Sequence, residues 1–197
     1  MLFGEMTDRI INRCKRPDKR ETAQDSINNA ISYFTLAATF AQDLVEGTVN
    51  INPQQYAQSF SISTNFPLFR RIKYLKRTEA KSYLIKADAQ KVYDKSGCEL
   101  LDRWYRAGDN IVFKLAKLSP TLEYGYYAYP DLLVDPDDTH WMLDITPMMI
   151  QNKALSEVFF SIGEPQEAGT HQRIAHDFFA AAKGDFEDAS TPVTTTA

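Results

Sequence analysis

The sequence predicts an α+β protein: an antiparallel helical bundle of two N-terminal and two C-terminal helices, an inserted β-rich module and a flexible C-terminal tail. Three observations carry that reading. Apolar residues recur at helical spacing over the first 43 residues and again after residue 137. Between these stretches the period falls to two, with β-branched and aromatic residues alternating with polar ones. Charge changes along the chain as well. Residues 1–65 carry 6 basic and 7 acidic side chains, residues 66–117 carry 13 and 6, and residues 118–197 carry 3 and 13. A net −4 therefore divides into −1, +7 and −10. Charge segregated in this way suggests surfaces that meet partners of opposite sign.

In chain order, Phe3, Met6, Ile10, Ile11 and Cys14 predict a short amphipathic helix ending before Pro17. Asp18 with Glu21 three residues later predicts the capped start of a second helix. Ala23, Ile27, Ala30, Ile31, Phe34, Ala37, Ala38 and Ala41 extend it to about residue 43, a rod of about 36 Å. Residues 57–63, 69–77, 83–87, 98–105, 111–115 and 122–129 read as strands, with turns at 94–97 and 107–110. Arg71, Lys73, Lys86, Lys91, Arg103 and Lys114, interleaved with apolar residues, predict one cationic sheet face. Asp137 or Asp138 is the expected cap of a helix with Trp141, Ile145, Met148, Met149, Leu155, Val158, Phe159 and Ile162 on its apolar face. Pro147 marks a kink or a new start, and Gly163-Glu164-Pro165 marks the end. A last helix over 166–188 turns Ala168, Ile174, Ala175, Phe178, Phe179 and Ala182 inward. Residues 190–197 have no periodicity and no core residue, so they should be free in the isolated subunit. The expected organisation is 1–48 and 131–188 as bundle helices, 49–130 as the β module and 189–197 as an extended tail.

Composition and motifs narrow the function. With 44% hydrophobic residues the chain can bury a core, and it has no apolar run long enough to span a bilayer. The first residues lack the basic and apolar regions of a signal peptide, which predicts cytoplasmic synthesis. Cys14 and Cys98, far apart and outside any CxxC, read as free thiols, with one disulfide as the alternative. Neither GxGxxG nor GxxxxGK[ST] occurs among only 8 glycines, against a nucleotide cofactor. His171 and His176 lie five apart, off the spacing of a zinc helix, and read as polar helix-surface histidines. Asp135, Asp137 and Asp138 lack the glycine and terminal glutamate of a calcium loop and read as capping residues. No GxSxG elbow or other catalytic signature is present, so no catalytic, metal or cofactor residue is assigned. The most unusual stretch is 124–130, with Tyr124, Tyr126, Tyr127 and Tyr129. It suits an edge strand at an interface or a stacking platform, with packing in a strand core as the alternative.

Several features in order carry a resemblance. Arg16-Pro17-Asp18 precedes a long helix bearing Asp25-Ser26-Ile27-Asn28-Asn29-Ala30, and a β insertion ends in Tyr126-Tyr127-Ala128-Tyr129-Pro130. Asp138, Trp141 and Pro147 then lead into a helix with Ala154-Leu155, followed by an Ala-rich helix and a polar tail. This arrangement resembles the head-to-tail adaptor (connector) proteins of tailed bacteriophages, particularly the short-tailed type. The resemblance implies a non-enzymatic virion protein at the head–tail junction, assembled in the bacterial host cytoplasm. It would form a ring, about twelve copies in the family, between the portal protein and the tail tube or nozzle protein. Tail fibres are a further partner, genomic DNA passes without specific binding, and no membrane is involved. Glu187, Asp188, Ala189, Ser190, Thr191, Pro192, Val193, Thr194, Thr195, Thr196 and Ala197 become the expected portal contact. Arg103, Arg106, Lys114, Tyr124, Tyr126, Tyr127 and Tyr129 become the expected contacts to neighbours or tail. Ile27, Ile31, Phe34, Leu155, Phe159 and Phe178 are the expected bundle core. The alternative is a small ligand- or nucleic-acid-binding module that uses the basic, Tyr-rich insertion.

Overall fold

Apolar residues spaced three and four apart build the first helix, and the computed structural model shows what they bury. It describes residues 1–52, 54–55, 57–87 and 101–186. These form a mixed α+β chain of two compact units, one from the described residues of Met1–Gln42 and Pro130–Asp188, the other from those of Asp43–Tyr129.

In the helical unit, α1 (Phe3–Cys14) buries Phe3, Met6, Ile10 and Cys14 on one face, as predicted. Its first-turn donors are satisfied from afar: Phe3 N–H donates to the Asp138 carbonyl and Gly4 N–H to the Pro136 carbonyl, both at 2.8 Å. A 3₁₀ turn at Pro17–Lys19 precedes α2 (Arg20–Ala37). Asp18 does not cap α2; its carboxylate takes two hydrogen bonds from Arg16, at 2.8 and 2.7 Å. The second helix is also shorter than expected, with 18 residues spanning about 27 Å. Beyond Phe34 the periodic signal rested on alanines, and Ala37 and Ala41 are in fact exposed, leaving nothing to anchor a further turn. Ala38 is extended, and Phe40 is fully buried in the core instead.

After Pro130 come α4 (Trp141–Ile145), α5 (Pro147–Ser161) and α6 (Pro165–Phe186). Pro147 is a new start: proline suits a first-turn position, where its missing N–H has no intrahelical partner to lose. α5 packs along α6, α2 and α1 around Ile27, Ile31, Phe34, Met149, Ile150, Leu155 and Val158. Phe159 is half-buried against this core, but Phe178 is 42% exposed, so its predicted core role is corrected: the adjacent Phe179 takes the inward position, stacked on Phe34 at 4.9 Å. The expected helix cap is corrected too. Asp138 accepts from Val134 N–H and Asp135 N–H at 2.7 and 2.8 Å and so closes a loop.

The residue that caps α4 is His140, whose Nδ1 accepts from Met142 N–H at 3.3 Å. Burial pushes its pKa down from 6.5 to about 4, against an opposing pull from Asp144. The unfolded chain then takes up this proton before the folded one does, so this contribution to stability is whole above pH 6.5 and is lost as pH falls toward 4. His140→Asn keeps a capping side chain and removes the titration. Urea unfolding at pH 7 and 4.5 should show a smaller acid loss in the variant, and equal losses would refute the assignment.

The β unit holds two sheets. One has strand order β1 (Leu44–Asn50), β7 (Thr121–Ala128), β3 (Phe69–Arg77), all antiparallel. The other runs β2 (Ala57–Ser61), β6 (Asn110–Lys114), β5 (Arg103–Ala107), β4 (Ile85–Lys86), with β4 parallel to β5. The predicted strand at 57–63 stops at Ser61, whose Oγ caps the single-turn α3 (Ile62–Asn65). The predicted 107–110 turn joins β5 to β6 with Gly108 at φ +60°, where glycine carries no side-chain strain. Strand β1 was not foreseen. The 94–97 turn, Lys91 and Cys98 lie outside the described residues. Both sheets contribute to one core of Phe66, Leu75, Leu84, Trp104, Ile111, Phe113, Leu122 and Tyr126.

Candidate functional site

Alternation along β7 decides what each tyrosine can do, because successive side chains point to opposite faces. Tyr124 and Tyr126 turn into the β core against Phe66, at 4.7 and 5.0 Å between ring centroids. Tyr126 is 1% exposed, and its hydroxyl donates to the Pro67 carbonyl at 3.0 Å. Tyr127 faces the other way and is also buried, with Arg71 and Lys73 over its ring at 5.0 and 5.9 Å. Tyr129 is exposed. The edge-strand expectation is therefore corrected: β7 is the central strand of its sheet, paired on both sides, and Tyr126 and Tyr127 serve packing within the subunit.

The basic residues gather more selectively than the sequence suggested. A cleft of about 680 Å³ in the β unit is lined by Arg70, Arg71, Lys73, Lys76, Lys86 and Arg106, with Glu46 as the single acidic residue among the described lining residues. Its volume is that of a typical ligand pocket. Arg103 and Lys114 lie outside this lining, opposite one another in the β5–β6 register, as do Tyr124, Tyr126 and Tyr129. Of the predicted contact residues, the structure thus brings only Arg106 and Tyr127 to the cleft. Arg71, Lys73 and Lys86 of the predicted cationic face join them.

Aromatic rings hold the cations in place. Lys86 lies 5.8 Å from the Trp104 ring centroid, and Arg106 lies 5.3 Å from that of Phe69 while its Nε donates to the Gly108 carbonyl. Such contacts orient a cation at little cost in its own hydration. Lys76 is neutralised by Glu123 at 2.8 Å. Glu46 is engaged as well, accepting the Tyr74 hydroxyl at 2.7 Å; burial and this bond together push the Tyr74 phenol well above its usual range. Gly125 makes the arrangement possible, since a Cβ there would meet the Tyr74 ring at 2.4 Å. Burial, then the neighbouring Arg71, draws the Arg70 guanidinium below its ordinary value. Among the described residues, Arg71 and Lys86 form no ion pair with a carboxylate, and Arg106 acts on Asp109 only as the weakest of several influences that hold that carboxyl low. The cleft is an apolar trough with cations on its walls, suited to an anionic partner with an apolar anchor.

Trp104, Tyr83 and Arg70 belong to this site and were not singled out from sequence; only the approach of β3 of one sheet, bridged at Lys76 to Tyr83, to the β4–β5 pair of the other assembles them. The histidine expectation also needs correction. His171 is 6% exposed, stacked on Phe159 at 5.4 Å, with Nδ1 2.7 Å from Asn152 Oδ1. The oxygen acceptor requires His171 Nδ1 to carry the proton, and burial lowers its pKa. His176 is half-buried, edge-on to Tyr33. Among the described residues no group of three His, Cys, Asp or Glu side chains is placed to hold a metal ion, and no helix is long and apolar enough to cross a membrane. The expected portal contact, residues 187–197, lies outside the described residues. No protein-family model matches the sequence, and a search of curated proteins finds no match.

Proposed function

We propose that this chain is a non-enzymatic virion protein, a head-to-tail adaptor of the short-tailed phage type. Its copies form a ring beneath the portal and join it to the tail tube or nozzle around the DNA channel. The helices of the first unit form the antiparallel bundle that packs side by side in the ring. The observation that supports this reading most is the surface of the helical unit. Large apolar side chains are left outside it: Phe160 is 74% exposed, Leu36 59%, Leu132 70% and Val134 72%. Where exposed apolar groups of this size adjoin, they mark surfaces that bind protein. The sequence of this unit carries 9 basic and 17 acidic side chains, while the inserted β unit carries 13 and 9. A subunit with opposite signs on two parts suits a head-to-tail contact, which closes into a ring when the rotation fits. An acidic wall also keeps passing DNA from adhering, because nonspecific affinity comes from lysine and arginine at phosphates.

Residues 187–197 are the proposed portal contact. Deletion of residues 190–197 should leave the subunit folded by circular dichroism but abolish its co-sedimentation with rings of the cognate portal protein. A full-length chain that ignores portal rings would overturn the adaptor reading. A truncated chain that still binds them would overturn only the docking segment.

A further inference from the structure

The cleft of the β unit has a complement elsewhere on the same chain. Residues 131–135 read Asp-Leu-Leu-Val-Asp, and they are held in one conformation from several sides. The Leu133 backbone is clamped by Asn28, whose amide donates to the Leu133 carbonyl and accepts from its N–H, both at 2.9 Å. Asp138 ties Val134 and Asp135 from one side, and the Pro136 and Asp138 carbonyls are pinned by the first turn of α1. With the Leu133 side chain buried, Leu132 and Val134 project outward at 70% and 72% exposure, flanked by exposed Asp131 and Asp135. An apolar pair bracketed by carboxylates, already ordered, loses little conformational entropy on binding.

The geometry points to this acidic loop docking in the cationic cleft of a second copy. Leu132 and Val134 would enter the apolar trough, with Asp131 and Asp135 against Arg71 and Lys86. The inference rests on the ring reading above and names the contact that closes it. Charge complementarity selects this occupant: the cleft walls are cationic, and the one carboxylate among the described lining residues, Glu46, is already bound by Tyr74. Single-stranded nucleic acid fits less well, because it needs open aromatic faces. Here Phe69, Trp104 and Tyr127 lie under cations, Trp104 and Tyr127 are buried, and among the described lining residues Tyr83 is the one exposed ring, where a stacked strand needs a succession of them.

The test uses the full chain assembled on portal rings. The variants Arg71→Glu with Lys86→Glu, and Asp131→Lys with Asp135→Lys, each alter exposed residues and should leave the circular dichroism spectrum unchanged. Each pair should raise the concentration needed for ring assembly at least about tenfold, since like charges then face each other across the contact. Combining all four reversals in one chain should restore assembly. A photo-crosslinking residue at position 132 should join copies through residues 69–86 or 104–106. Rings that form normally with either pair, or crosslinks that map elsewhere, overturn the contact and leave the ring reading standing. Failure of the wild-type chain to form rings on portal rings overturns the ring reading itself. Tighter binding of a single-stranded oligonucleotide than of a second copy, abolished by Arg71→Glu with Lys86→Glu, assigns the cleft to nucleic acid and overturns the proposal.

Discussion

Phe34→Ala is expected to remove about 3–5 kcal/mol from the stability of the helical unit. Phe34 is fully buried on α2, where it stacks on Phe179 of α6 and meets the edge of Tyr33 at 5.2 Å. Truncation to alanine loses the transfer energy of the ring and leaves a cavity that flanking helices cannot fill without moving. Whole domains are stable by only about 5–15 kcal/mol, so this one change consumes much of the margin. The measurement is built into the chain. Its two tryptophans lie one in each unit, Trp141 packed on Phe40 in the helical unit and Trp104 in the β core. Trp141 fluorescence during urea unfolding in a Trp104→Phe background reports the helical unit. A loss under about 0.5 kcal/mol would contradict the packing described, because that is no more than an isolated surface change costs.

Phe66→Ala should cost the β unit a similar amount, about 3–5 kcal/mol, read from Trp104 in a Trp141→Phe background. Phe66 is 1% exposed and follows the α3 turn, where four rings converge on it. Phe60 of β2 lies at 5.4 Å, Phe69 of β3 at 5.9 Å, and Tyr124 and Tyr126 of β7 at 4.7 and 5.0 Å. These partners belong to both sheets, so Phe66 ties one to the other. Aromatic pairs add about 0.5–1.5 kcal/mol each beyond buried area, which places this position among the costliest in the unit. Phe66→Leu should recover part of the loss. Equal stability of the alanine variant and the wild type would mean that the two sheets do not share this core.

What the sequence could and could not reveal follows from the range of the interactions involved. Local periodicity located α1 and the body of α2, since helical burial depends on residues three and four apart. It overran the end of α2 because alanine fits a buried face and an exposed one equally well. Strand β1 escaped notice because its exposed Val45 and central Gly47 blur the alternation. The tyrosine strand was visible, but its central place was not: sheet order depends on pairing with Leu44–Asn50 and Phe69–Arg77, far away in the chain. For the same reason the cationic surface was only half legible. Arg71, Lys73 and Lys86 converge, whereas Arg103 and Lys114 do not join them. His171 looked like a surface residue because its partner, Asn152, lies on another helix.

Electron microscopy of negatively stained portal rings, with and without the full-length chain, tests the central claim most directly. The adaptor reading predicts an added ring-shaped layer on one face of the portal, absent when the chain is imaged alone. Portal rings that look the same with and without the chain would contradict it.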